Sequence, residues 1–224
     1  MEARLASDLK GEDFGPEIIR IAVNADSLAS WIVPALAEAR FTAPNLLFDL
    51  TVDDQDHSAD LLRRGEVVAA LTGTPTPPSG CDSLPLGALR YVATASPAFL
   101  KRYCPHGVTG SALRVAPMLT YDRKDRLQLD WLERNFGKGP VPPTHYLPST
   151  EAFVEAARLG LGWGMNPEPL VAKEIAFRRL VPLTETGRLD TPLYWQVPRR
   201  LTEALAPLTR AIRKTAAEHL HPAD

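Results

Sequence analysis

The sequence predicts an α/β fold made of two Rossmann-like subdomains hinged around a cleft. Three observations carry this expectation. Short apolar runs alternate with helical stretches, the pattern that gives a parallel sheet covered by helices. The alternation then starts afresh in the second half of the 224-residue chain. Finally, the chain is expected to cross near Arg90 to Ala95 and to return near Thr191 to Val197, the layout of two hinged domains. With 45% hydrophobic and 23% charged residues, the chain has ample material for buried cores and is too long for one minimal domain.

In the first subdomain, Ile18 to Val23 is an apolar run suited to a strand buried on both faces. A helix is expected from Trp31 to Arg40, with Ile32, Leu36 and Ala39 on one side. Leu46 to Val52 reads as a second strand, Ser58 to Arg64 as a helix stopped by Gly65, and Val67 to Leu71 as a third strand. The Pro-rich stretch Thr74 to Ser79 reads as a rigid loop.

The second subdomain repeats the theme. Strand-like Ala116 to Tyr121 is followed by a helix from Arg126 to Phe136, a strand at His145 to Leu147 and a helix from Glu151 to Leu159. A short strand at Leu161 to Met165, a helix from Glu168 to Ala176 and a strand near Leu180 to Leu183 complete it. The chain then returns through a strand at Leu193 to Val197 to a long helix, Leu201 to Leu220. Its stripe of Leu201, Leu205, Leu208, Ile212, Ala216 and Leu220 should pack on the first subdomain. The expected boundaries are residues 17–92 with 193–224 for subdomain I and 93–192 for subdomain II. Residues 1–16 read as the end of a linker helix or as disordered.

Several function classes find no support. Lys plus Arg number 25 against 27 Asp plus Glu, and the net charge of −2 offers no footprint for a phosphate backbone. Cys81 and Cys104 lie far apart without CxxC or His pairing, so two free thiols are expected and no metal site. Of His57, His106, His145, His219 and His221, the pair with ligand spacing, His219 and His221, lies at the chain end, where solvation is the simpler reading. Gly160, Gly162 and Gly164 form a GxGxG run, but it follows a helix and opens a strand, the reverse of a dinucleotide loop. Gly160 reads as a helix C-cap, with the other two admitting close approach. No GxSxG elbow is present, and Ser79 lacks its strand-to-helix setting. No catalytic residue and no cofactor is implied. The charged N-terminus carries neither a signal segment nor an apolar span, so a cytoplasmic protein without membrane contact is expected.

Ligands in open α/β sheets bind outside the carboxyl ends of strands. The predicted strand ends therefore supply the candidate site: Asn24, Asp26 and Ser27 after the first strand; Asp53, Asp54 and Gln55 after the second; Thr72 after the third. From the second subdomain come Tyr121 and Asp122, Ser149 and Thr150, and Met165 and Asn166. Most of these positions lie at helix N-termini, where free N–H groups favour a carboxylate, while Asp26, Asp54 and Asp122 suit a cation. N-cap roles for Ser27 or Ser30, Ser58 and Ser149, and first-turn dipole roles for the aspartates, are adequate for any one helix. Together they suit a zwitterion with an extra positive charge.

Seven segments carry a family resemblance: Ile21 to Ser27, Leu61 to Val68, Leu86 to Leu89, Ala95 to Phe99, Gly107 to Thr109, Pro148 to Val154 and Leu193 to Trp195. They are similar to the effector-binding domain of LysR-type transcription regulators of the LysG and ArgP subgroup, in order over about residues 18 to 215. The resemblance implies a type 2 periplasmic-binding-protein-like fold, a basic amino acid (lysine or arginine) as effector, control of amino-acid export genes, and a homodimer or tetramer. It implies Asp122 for the effector's side-chain cation, Ser149 and Thr150 for its carboxylate and Asp26 for its α-ammonium. Family members read DNA through an N-terminal winged helix-turn-helix, which is expected to be absent from this chain. A solute-binding protein for transport, or an enzyme on the same scaffold, are the alternatives.

Overall fold

Ile19, Ile21, Ala22 and Val23 are almost fully buried, and this apolar run builds the central strand of the first of two α/β units. The computed structural model describes residues 17–52 and 58–223. Unit 1 comprises the described residues up to Leu89 and from Thr191 onward, and unit 2 comprises Arg90–Asp190.

In unit 1, β1 (Glu17–Val23) pairs in parallel with β2 (Leu46–Val52) and with β3 (Ala69–Thr72). The far edge of β3 pairs antiparallel with β9 (Arg188–Pro198), Leu71 facing Trp195. Helix α1 follows β1 at once. It begins as Ala25–Ser27, widens into a π-turn over Leu28–Ile32 and continues as Val33–Thr42. Asn24 is extended at φ −82° and ψ 153°, and starts the helix six residues ahead of the expected Trp31. The reason is the π-turn: one extra residue breaks the 3.6-residue periodicity, so the first turns carry no readable apolar stripe. Pro34 sits just past it, where its missing N–H suits a ladder already displaced.

Helix α2 (Ser58–Arg63) ends at Gly65, which takes φ 69°, a left-handed stop. Leu61, Leu62, Ala22, Ala70, Val67 and Cys81 form one core cluster there. The expected helix Leu201 to Leu220 is divided. Arg199–Leu201 is a 3-10 turn, and α8 runs over Ala206–His219. Pro207 explains the break, since its ring would clash with a helical carbonyl four residues back. The stripe survives it: Leu201, Leu205, Leu208, Ile212 and Ala216 are all buried, and α8 packs on α1 within unit 1. Past the helix, Ala88 and His221 exchange backbone hydrogen bonds of 2.8 and 3.0 Å. A Cβ at Gly87 would lie 2.7 Å from the His221 carbonyl oxygen, so glycine is required.

Strand β4 (Cys81–Ala95) and β9 run through both units. In unit 2, β4 pairs antiparallel with β7 (Gly164–Pro167) and β8 (Val181–Pro182). Helices α3 (Pro97–Tyr103) and α4 (Gly110–Val115) follow β4; no helix was expected there. Both are short but capped, by Ser96 Oγ on the Phe99 N–H at 3.3 Å and Thr109 Oγ1 on the Ala112 N–H at 3.2 Å. Then come β5 (Met118–Thr120), α5 (Leu127–Phe136), β6 (Thr144–Tyr146), α6 (Thr150–Arg158) and, after β7, α7 (Glu168–Ala176).

Strands β5 and β6 pair in parallel. Trp131 and Trp163 meet with ring centroids 5.5 Å apart, and the Trp163 indole N–H donates to the Leu113 carbonyl. Phe153, Leu119, Ala157, Val171 and Leu180 form the adjoining cluster. Gly160 takes φ 80° at the end of α6. Gly162 and Gly164 do admit close neighbours, the Leu119 side chain and the Phe153 ring, which a Cβ would meet at 2.7 and 2.6 Å.

Candidate functional site

In unit 1 the carboxyl ends of the parallel neighbours β1 and β3 place Asn24, Asp26, Ser27 and Thr72 along one edge. Asn24 is 6% exposed and Ser27 fully buried, yet neither the Asn24 Oδ1 nor the Ser27 Oγ has a hydrogen-bond partner. Such orphaned buried acceptors are costly unless something fills them. Neither residue acts as a side-chain cap, so the simple capping explanation fails for both. Ser30 Oγ instead donates back to the Asp26 carbonyl at 2.6 Å. Thr72 Oγ1 donates to the Thr74 carbonyl at 3.0 Å, and Gln196 Nε2 donates to the same oxygen. Asp53, Asp54 and Gln55 lie outside the described residues.

In unit 2 the parallel pair β5 and β6 brings the remaining strand ends together. Leu147 N–H donates to the Thr120 carbonyl at 2.9 Å, so the segments Tyr121–Asp122 and Ser149–Thr150 leave the sheet at the same edge. Ser149 caps α6, its Oγ accepting from the Ala152 N–H at 3.3 Å. Asp122 Oδ1 accepts from the N–H groups of Lys124 and Asp125, at 2.7 and 2.9 Å. The N-cap of α5, Arg126, makes no side-chain cap, and the residue before it, Asp125, accepts from the Leu127 N–H and from Gln128 Nε2. Asp122 therefore shapes the turn ahead of α5 through one oxygen.

Met165 and Asn166 sit inside β7, at 3% and 0% exposure. Asn166 Nδ2 donates to Thr94 Oγ1 at 2.9 Å and lies 3.3 Å from the Gly164 carbonyl oxygen, which ties β7 to β4. Its Oδ1 is buried and unpartnered. Sequence reading passed over Thr94 and Gln196, buried polar residues within apolar strands; the polar interruption of Leu193 to Val197 was the available signal for Gln196. It also passed over the bidentate ion pair of Arg90 with Asp190, at 2.8 and 2.6 Å. Among the described residues no group of three or more His, Cys, Asp or Glu is placed to hold a metal ion, and no helix is long and apolar enough to cross a membrane.

Two α/β units threaded by a shared pair of long strands, each presenting polar groups at the carboxyl ends of its parallel strands, define the class of ligand-binding domains with the type 2 periplasmic-binding-protein-like fold. More specifically, this chain belongs to the LysR substrate binding domain family, whose model matches residues 16–217. LysG of Mycobacterium tuberculosis, an HTH-type transcriptional regulator, is 41% identical over 200 residues, which are 89% of this chain and 64% of that protein. ArgP of Pseudomonas aeruginosa is 40% identical over 210 residues, covering 93% and 69%. The full-length LysG of Corynebacterium glutamicum, solved with its bound effector Arg, superposes with a TM-score of 0.84 at 34% identity, covering 99% of this chain and 74% of that one. The chain thus spans 64% to 69% of the length of these curated relatives.

Proposed function

We propose that this chain is the effector-binding domain of a LysR-type transcription regulator that senses a basic amino acid, lysine or arginine, and thereby governs amino-acid export genes. The observation that carries the reading is the unit 2 edge, where the Asp122 carboxylate and the donor-rich start of α6 leave adjacent parallel strands. It is supported by a 34% identical relative that holds arginine. Asp122 takes the ligand's side-chain cation and the Ser149–Thr150 cap its carboxylate; Asp26 takes the α-ammonium. Asn24 and Ser27, with their unpartnered acceptors, and Thr72 and Tyr121 complete the proposed contacts, together with Asp53, Asp54 and Gln55. Met165 and Asn166 reach a ligand from within the packing of β7.

On this reading the chain is a sensor in the cytoplasm rather than an enzyme, and DNA contact belongs to other parts of the regulator. A second copy is the proposed partner. Among the described residues strand β2 is the last of its sheet and exposes Leu47 and Val52, and Phe41 on α1 is 86% exposed. Exposed edges and apolar patches of this kind are usually covered. Titration calorimetry against each of the twenty amino acids tests the function. The tightest binding is expected for lysine, arginine or close analogues; preference for an acidic amino acid would overturn the assignment.

A further inference from the structure

We infer that unit 2 carries a second small-molecule site, a cavity of about 480 Å3 walled by α7, β8 and the segment that follows β8, and that it takes an α-amino acid with an apolar side chain. The volume is in the range of small-molecule sites. Its floor is apolar: Val92 of β4 and Leu183 are buried beneath it, and Ile175 of α7 closes one side. Its rim is charged and of both signs, with Glu168, Glu185 and Arg188.

The rim is held in shape. Gly187 N–H donates to Thr184 Oγ1 at 2.9 Å, the buried Trp131 indole N–H donates to the Gly187 carbonyl, and Leu183 N–H donates to the Ala93 carbonyl at 2.8 Å. A Cβ at Gly187 would fall 2.1 Å from Thr184 Oγ1 and 3.0 Å from the Trp131 nitrogen, so glycine is required at this position. Arg188 and Glu185 are thus carried on a fixed frame. Across the cavity mouth Arg188 Nη2 stands 4.0 Å from Glu168 Oε1, too far for a hydrogen bond.

A guanidinium presents a planar fork that a carboxylate accepts from two N–H groups at once. Glu185, on the same rim, gives an ammonium group a carboxylate to meet beside that guanidinium. The ligand must then bear both ions close together and an uncharged body long enough to reach Val92 and Leu183. An apolar amino acid meets all three demands. A lysine or arginine side chain would have to bury its cation against the apolar floor without a partner.

L-Leucine is the probe, titrated into the chain beside N-acetyl-L-leucine, L-leucinamide and L-arginine. Leucine is expected to bind, and each blocked derivative to bind at least about ten-fold more weakly, since each loses one ion contact. Arg188→Ala and the cavity-filling Ala172→Phe should each weaken leucine by a similar factor and leave arginine affinity and melting temperature unchanged. Absence of leucine binding, or leucine binding indifferent to both variants, overturns the inference and leaves the proposed arginine site untouched. Arginine binding that is lost in Arg188→Ala overturns both readings, whereas Arg188-dependent leucine binding without any arginine binding sustains this one alone.

Discussion

Asp122 and Asn166 were both candidate ligand groups in the sequence, and their surroundings in the fold differ. Asn166 is committed to Thr94 and Gly164 by its amide nitrogen, a tie across 72 residues that no local pattern discloses. Asp122 uses one carboxylate oxygen on two backbone N–H groups, which leaves the other for an incoming cation. Asn24 and Ser27 are the converse case, buried with unpartnered acceptors; local spacing suggested Ser27 as a cap, and neither side chain performs that role. The cysteines behave as the sequence implies: Cys81 and Cys104 are free and buried. Burial pushes both thiols above the ordinary value; beside Cys81, Arg200 and Arg199 pull back while Asp82 adds to the rise. A raised folded pKa favours the folded state at low and neutral pH, and this contribution is lost as pH climbs, because the unfolded thiols ionise first. Stability should therefore be insensitive to these groups at neutral pH and decline on the alkaline side. Alkylation by iodoacetamide at pH 8 should be slow in the native chain and fast in denaturant; equally fast labelling in both would contradict the burial account.

Helices and strands show where the pattern sufficed. β2 and α7 were bounded to the residue, Leu46–Val52 and Glu168–Ala176. The start of α1 was hidden by a π-turn, and Pro207 divided the last helix. Strand β4 extends over 15 residues, from Cys81 to Ala95, where a crossing of the chain near Arg90 to Ala95 was expected but no strand. Pro85 and Gly87 conceal the strand, and its continuity is fixed by partners distant in the sequence. Element packing also predicts a cost. A Cβ on Gly164 would sit 2.6 and 2.7 Å from the Phe153 ring and 3.2 Å from Leu119 Cβ, inside the unit 2 core. Gly164→Ala should destabilise the chain by about 1–3 kcal/mol, as overpacking does. Chemical denaturation measures it, and a variant as stable as the parent would show that the ring has room to move.

At the scale of the whole molecule, the presence of two α/β units was readable because the βα alternation restarts. The candidate site was readable as a set of strand ends, but which of those groups are already consumed by the fold was not, since that depends on contacts such as Asn166 with Thr94. Self-association belongs to this scale. Sedimentation velocity should show a dimer that is weakened when Phe41→Glu puts a charge on the exposed face of α1; a monomer at every concentration would count against the proposed partner. The central claim is that Asp122 holds the cation of a basic amino acid. A charge-assisted hydrogen bond there contributes about 1.5–3 kcal/mol, against about 0–1 for an exposed ion pair. Asp122→Asn keeps an acceptor for Lys124 and Asp125, so the turn should survive. Calorimetric titration of arginine into the parent and Asp122→Asn chains, with melting temperatures taken on the same samples, tests it directly. The account predicts a loss of about ten- to a hundred-fold in affinity at an unchanged melting temperature, and equal affinity in the two chains would contradict it.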